Sequence, residues 1–387
     1  MKALWIALAV VLAMTANGFA QIPLPEVPES QKQELVGYLT ENWMSPEDYV
    51  VSKFKDRDIV FLGEFHRIKH DVELVHALIP RLYAIGVYDL GIEFGCSEYQ
   101  DTVDFLINAP VYDETLARWL MFISFSSWAF VEYEDIYRKA WELNHSLPPE
   151  APRFRVVHLQ YRQRWDVATI EMTKEDWAKV WYRGTGDSIM ARVVLDEFVK
   201  KGRKALVYCG MHHAFTRYRQ PIIDESTGVF KEYGMRRLGN IVSDSIPSRV
   251  FSIFLHYPWM QRNDLNALSY PAGGVIDAVM REFESTRVGF DAGGSPFGLL
   301  TDSAAYYSAG YSPFVLADFC DGYVFQKYLS DYEGCTVDTL FVIWENFEEA
   351  VNYIPNVAAR PYVKSPSDFI SSARDDTNFK QRFRMLR

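Results

Sequence analysis

Short apolar runs separated by longer segments of helical period constrain this chain more than any other feature. IVFLGE (59 to 64), YDLGIEF (88 to 94), FRVVHL (154 to 159), KALVYCG (204 to 210) and RVFSIFLHY (249 to 257) each have strand length. Between the first two, Val72, Val75, Leu78, Ile79 and Leu82 recur at helical spacing from His70 to Ile85. Such alternation predicts an α/β fold, a largely parallel central sheet flanked by helices. A helical, strongly aromatic insertion is expected between strands 2 and 3, from Tyr99 to Asn144. Beyond Pro258 the pattern is broken by AGG, DAGGSPFG and SAGYSP, although RVGFDA (287 to 292) and FCDGYVFQ (319 to 326) still read as strands. No linker divides the chain, so residues 21–387 are expected to form a single domain, less clearly defined after 258.

Residues 1–20 read as a secretory signal peptide. One Lys precedes an unbroken apolar stretch from Ala3 to Met14, and the small residues Gly18 and Ala20 flank Phe19 ahead of a cleavage point after Ala20. No later stretch reaches the roughly 18 apolar residues of a membrane helix, so an extracytoplasmic (periplasmic or secreted) protein without stable membrane insertion is expected. A net charge of −11 would repel phosphate backbones, which argues against a nucleic-acid partner. The four cysteines are too scattered for a disulfide scaffold; an oxidising compartment permits one bridge, with Cys320 and Cys335 the nearest pair, and buried free thiols are the alternative.

Chemistry concentrates at the predicted strand ends. Gly63 and His66 close the first strand, and Gly210 and His213 close the fourth in the same Gly-x-x-His relation. Parallel strands share one C-terminal edge, where ligands of open α/β sheets bind, so the two imidazoles should converge. Glycine there permits positive φ or close backbone approach. Glu93 ends the second strand, and Glu64 lies beside His66, as a ligand or base or as a cap for the next helix. Two readings of the group are open. His66, Glu93 and His213 could hold a divalent metal that activates water, or a histidine polarised by Glu64 or Glu93 could act as general base without metal. Both are hydrolytic, with His66, Glu64, Glu93 and His213 as catalytic candidates and a small molecule or peptide as substrate.

His70, His212 and His256 also fall near strand ends, with weaker claims on the site. His158, inside a strand, reads as a satisfied core residue, and Arg162 and Arg217 as partners of acidic residues. Phe125, Trp128, Phe130, Tyr133 and Tyr137 read as packing within the insertion rather than a ligand platform. There is no GxSxG, HExxH, GxxxxGK[ST] or GxGxxG element.

LGEFHRIKH resembles the opening motif of the haem-binding uptake Tiki/ChaN superfamily, which includes erythromycin esterase-like proteins. GIEFGCSEYQDTVDFL, with Glu93 and Gln100, and WAFVEYEDIYRKAWELN are similar to further segments of it, and the resemblance runs from Val60 to Phe215. It implies His66, His213 and Glu93 as site residues. Tiki-like members are metal-dependent proteases, ChaN-like members bind haem through tyrosine, and erythromycin esterases open a lactone with activated water. The resemblance thus implies a site without selecting among hydrolysis, metal use and haem or small-ligand binding.

Overall fold

The computed structural model describes residues 21–283 and 287–386, the side chain of Lys174 apart. The proposed signal segment lies outside the described residues. Among the described residues there are eleven strands: β1 (Ile59–Glu64), β2 (Asp89–Cys96), β3 (Arg155–Gln160), β4 (Ala205–Gly210), β5 (Pro221–Ile223), β6 (Phe230–Tyr233), β7 (Val250–Leu255), β8 (Trp259–Gln261), β9 (Asp264–Ser269), β10 (Val288–Asp291) and β11 (Gly322–Phe325). Seven form one sheet in the order β10-β11-β7-β1-β4-β2-β3, parallel except for β10. All seven coincide with the apolar runs, β2 and β3 overrunning theirs by two residues and one, because strands covered on both faces need continuous rather than alternating apolar sequence. Every residue of β1, β2 and β4 is buried.

Side chains alternate between two apolar layers. Phe61, Val207 and Cys209 enter one, while Val60, Leu62, Leu206 and Tyr208 enter the other. The helix Lys69–Ala84 supplies the first crossover and buries the five apolar residues its spacing selected. Helices Gln100–Leu106, Glu114–Ser124 and Val131–Ser146 make up the insertion between β2 and β3. Asp113 caps the second of these, accepting the Leu116 N–H at 3.0 Å.

The chain after Pro258 completes the same sheet rather than standing apart: β11 joins β7, and β10 lies against β11 at the edge. That edge is closed by an isolated bridge from Met44 to Gly289. Two small hairpins, β5-β6 and β8-β9, were not legible as strands, being short and half exposed. Of the two readings of the cysteines, buried free thiols hold: all four are free and buried, and Cys320 and Cys335 form no bridge. The physical reason is the sheet itself, since Cys320 belongs to one apolar layer and Cys335 to the other.

Candidate active site

The strand order reverses around β1, which lies between β4 and β7 although β2 follows it in sequence. A crevice opens beyond the carboxyl ends of parallel strands at such a switch point. A cavity of about 240 Å³ lies there, lined by Glu64, His66, Gly210 and His213. The two distant Gly-x-x-His turns therefore meet.

Their glycines serve close approach, and neither has positive φ. A Cβ on Gly63 would lie 3.0 Å from the Met211 Cα and the Phe254 ring, and one on Gly210 would lie 2.6 Å from His66 Cε1. Positive φ falls instead on Arg67, at 73°. In the β1-β4 ladder Gly63 pairs with Cys209 and Glu64 with Gly210, so the two motifs are out of step by one residue. One step reverses the face a side chain occupies. Gly210 consequently leaves its space on the face occupied by Glu64, and the His66 ring fills it.

His66 donates or accepts through Nδ1 to Glu64 Oε1 at 2.7 Å. Glu64 is buried and is not a helix cap; the Tyr133 hydroxyl donates to both its oxygens at 2.8 Å, and Tyr208 donates to Oε2 in a short contact. The ring packs edge-on against Trp128 and Phe94, with centroids 5.0 and 5.5 Å away. Its orientation is therefore fixed by one carboxylate and two aromatic walls. Its Cε1 and Nε2 lie against the space left by Gly210, and both residues line the cavity.

Glu93 follows the last β2 residue paired with β4, where the β2-β3 register also shifts between Ile92 and Cys96. Irregularities of this kind re-aim side chains. Here the Glu93 carboxylate takes over the lost ladder bond, accepting the Gly210 N–H at Oε2, 2.7 Å away. Its other oxygen lies 3.2 Å from His213 Nε2. His213 Nδ1 faces Asp187 Oδ1 at 2.6 Å, and Asp187 also receives the Leu238 N–H at 2.8 Å and Arg237 Nη1 at 3.2 Å.

Burial alone would push the His213 imidazolium toward its neutral form, but Glu93 and Asp187 outweigh it and raise its pKa well above the ordinary value. Burial likewise opposes the Glu93 charge, and His213, then His66 and the Gly210 N–H, hold its carboxyl low. His213 is thus a fixed cation between two carboxylates. His212 behaves oppositely: burial first, then Arg237 and His213, lower it to about 3, and its Nε2 meets the Tyr307 hydroxyl at 3.0 Å.

The expected metal trio does not fit an ion. A ligand imidazole must offer a lone pair, whereas both nitrogens of His213 face carboxylates, Glu93 at 3.2 Å and Asp187 at 2.6 Å. His66 Nδ1 is engaged by Glu64, and among the described residues no three His, Cys, Asp or Glu side chains converge on a metal position.

Other candidates lie outside the centre. His70 is buried in the first crossover helix, and His256 is buried between Tyr323 and Asp277, 3.0 and 3.2 Å away. His158 is a satisfied core residue, 2.7 Å from the Tyr137 hydroxyl and 3.2 Å from the Cys96 carbonyl oxygen. Arg162 pairs with Glu349 at 2.5 Å and Arg217 with Asp321 at 2.7 Å. Sequence reasoning missed Asp187, Tyr133 as a support for Glu64, and Tyr208. Asp187 sits in GTGDSI, and its partners come from elsewhere in the chain, so no local spacing marks it.

No family model matches the sequence, and no curated protein sequence matches it significantly. Among solved structures, a succinoglycan biosynthesis protein superposes at TM-score 0.50 and 10% identity, covering 78% of this chain and 98% of that one. A mutant erythromycin esterase in its open conformation superposes at 0.44 and 13%, covering 71% and 91%. ChaN of Campylobacter jejuni, a structure with cofacially bound heme, superposes at 0.38 and 13%, covering 58% and 91%. Two of the three branches suspected from LGEFHRIKH, the erythromycin esterases and the ChaN-like proteins, are thus among the structural neighbours.

Proposed function

We propose that this chain is an exported hydrolase in which His66, oriented by Glu64, activates water without a metal. The single observation that carries the reading is the 2.7 Å Glu64–His66 contact at the wall of a cavity, with the other ring nitrogen against the space left by Gly210, which lines the same cavity. In that geometry Nε2 takes a proton from water as the water oxygen adds to a carbonyl carbon, and the imidazolium so formed is stabilised through Nδ1–H by the Glu64 carboxylate. The same proton then passes to the leaving group. Glu93 adds a second negative charge within electrostatic reach of His66. His213 is a positioning residue: it holds Glu93 ionised and aimed at the Gly210 N–H.

The cavity, about 240 Å³, is smaller than the roughly 300–1,000 Å³ of sites that enclose drug-sized ligands. That size suits a small molecule or the end of a peptide. The test is turnover of a panel of chromogenic esters and fluorogenic peptides by the mature protein in the presence of EDTA, with His66→Ala alongside. Turnover that His66→Ala removes supports the proposal; none by the parent, or the same rate in the variant, sinks it. Export is tested by N-terminal sequencing of the secreted product, which should begin at Gln21.

Binding of haem or another small ligand without turnover is the rival. Burial raises the pKa of both cavity tyrosines, Tyr257 and Tyr307, which disfavours the phenolate that iron would take. A Soret shift on adding haem would nevertheless favour the rival over hydrolysis.

A further inference from the structure

Two guanidinium groups at the cavity have no part in activating water. Arg67 and Arg382 both line it, although they come from opposite ends of the chain. Arg67 follows His66 directly, and its φ of 73° is uncommon for a residue with a side chain. The turn is clamped on both sides: the Arg67 N–H donates to the Tyr133 hydroxyl at 2.9 Å, and the Arg67 carbonyl accepts the Cys335 N–H at 2.9 Å. Consecutive residues of an extended chain diverge. This bend lets His66 and Arg67 face the same cavity.

Each guanidinium lies within cation–π range of two aromatic rings. Arg67 lies 5.0 Å from the Trp128 ring centroid and 5.6 Å from that of Phe130. Arg382, exposed at the end of helix Phe379–Arg382, lies 5.3 Å from the Phe65 ring and 5.2 Å from Phe379. Such contacts place a cation without using up its N–H donors, which can then meet an anion. Partial burial, then the nearby Arg67 charge, push the Arg382 pKa down, so the two cations sit close enough to repel.

Asp376 serves both. Its carboxylate lies 3.4 Å from Arg67 Nη2, while Arg382 Nη1 donates to its backbone carbonyl at 2.9 Å. That carboxylate is half exposed, at 48%. The carboxylates beneath the cavity are engaged elsewhere, Glu64 by two tyrosines and His66, Glu93 by Gly210 and His213. Like charges juxtaposed at an opening are unfavourable unless a ligand of opposite charge lies between them.

We infer that Arg67 and Arg382 form a clamp for an anionic oxygen group of the substrate, a carboxylate or a phosphate, next to the bond presented to His66. The last clause rests on the hydrolase reading, and the clamp itself does not. Titration calorimetry of the full mature chain with acetate, inorganic phosphate and neutral acetamide tests it, in parent, His66→Ala, Arg382→Gln and Arg382→Lys proteins, each first shown to be folded by its thermal transition.

The parent should bind one of the two anions and not acetamide, and the anion that binds identifies the group. Charge-assisted hydrogen bonds of this kind predict about a tenfold weaker Kd in Arg382→Gln. Arg382→Lys should fall between, since it keeps charge without the fork. His66→Ala should bind as the parent does; anion binding retained there without any turnover in the parent would remove the hydrolase reading and leave the clamp. Anion affinity equal to that of acetamide, or unchanged in folded Arg382→Gln, overturns the clamp while leaving catalysis by His66 open.

Discussion

The two Gly-x-x-His turns share a local sequence and end up with different chemistry. At the first, His66 has one nitrogen on Glu64, two residues away, and keeps the other beside the cavity. At the second, both nitrogens of His213 are taken by carboxylates from distant elements, Glu93 on β2 and Asp187 on the helix Gly186–Val194. A histidine with a free nitrogen can move a proton. One locked between two carboxylates can only hold charge and geometry. The comparison teaches that a motif repeated along a chain need not be repeated in role, because the number of ring nitrogens left free is set by partners outside the motif.

Exchanging each histidine for alanine is the strongest way to break that contrast. For His66→Ala, kcat should fall about 10²–10⁴-fold, while the urea midpoint shifts by no more than about 1 kcal/mol equivalent, one hydrogen bond being lost. For His213→Ala the emphasis reverses. Glu93 and Asp187, both buried, lose their shared cation, and removing one partner of a buried pair destabilises by about 3–5 kcal/mol. Equal loss of stability in the two variants would abolish the distinction.

The same pair sharpens the comparison by pH. The His213 pKa is raised from 6.5 to about 10, so its contribution is complete below pH 6.5 and is lost as pH rises through 10. The Glu93 pKa is lowered from 4.5 to about 2, so its contribution is present above 4.5 and is lost as pH falls through 2. The stability gap between parent and His213→Ala, from urea melts, should therefore be wide near pH 6 and close toward pH 10. A gap that widens with pH contradicts the fixed-cation assignment.

Smaller effects separate the two turns further. Gly210→Ala places a Cβ 2.6 Å from His66 Cε1, and such overpacking costs about 1–3 kcal/mol. Displacement of the ring should lower kcat as well; unchanged turnover in a folded variant would show that the Gly210 space does not position His66. Smallest is Tyr133→Phe, which removes one donor to Glu64 for about 1 kcal/mol and should be seen in the urea midpoint.

Much of the scaffold was legible because the signals are local. IVFLGE and KALVYCG read as buried parallel strands since, Lys204 apart, every residue in them is apolar or at the functional end, and β1 and β4 occupy those runs. Glu93, His66 and His213 were legible as strand-end residues that the parallel arrangement brings to one edge. Asp187, Tyr208 and Arg382 were not, for each acts on a residue far away along the chain, and nothing in GTGDSI or in FKQR reports the distant partner.

By itself, then, the sequence determined a largely parallel sheet and the edge at which its histidines gather, because apolar period and strand direction are properties of short segments. Register was decided only by the tertiary structure. Pairing Glu64 with Gly210, and not glycine with glycine, set the two glycines on opposite faces of the sheet. That single step gave His66 a glycine-sized space at the cavity wall. It left His213 between Glu93 and Asp187, where two negative charges outweigh burial and keep its proton in place.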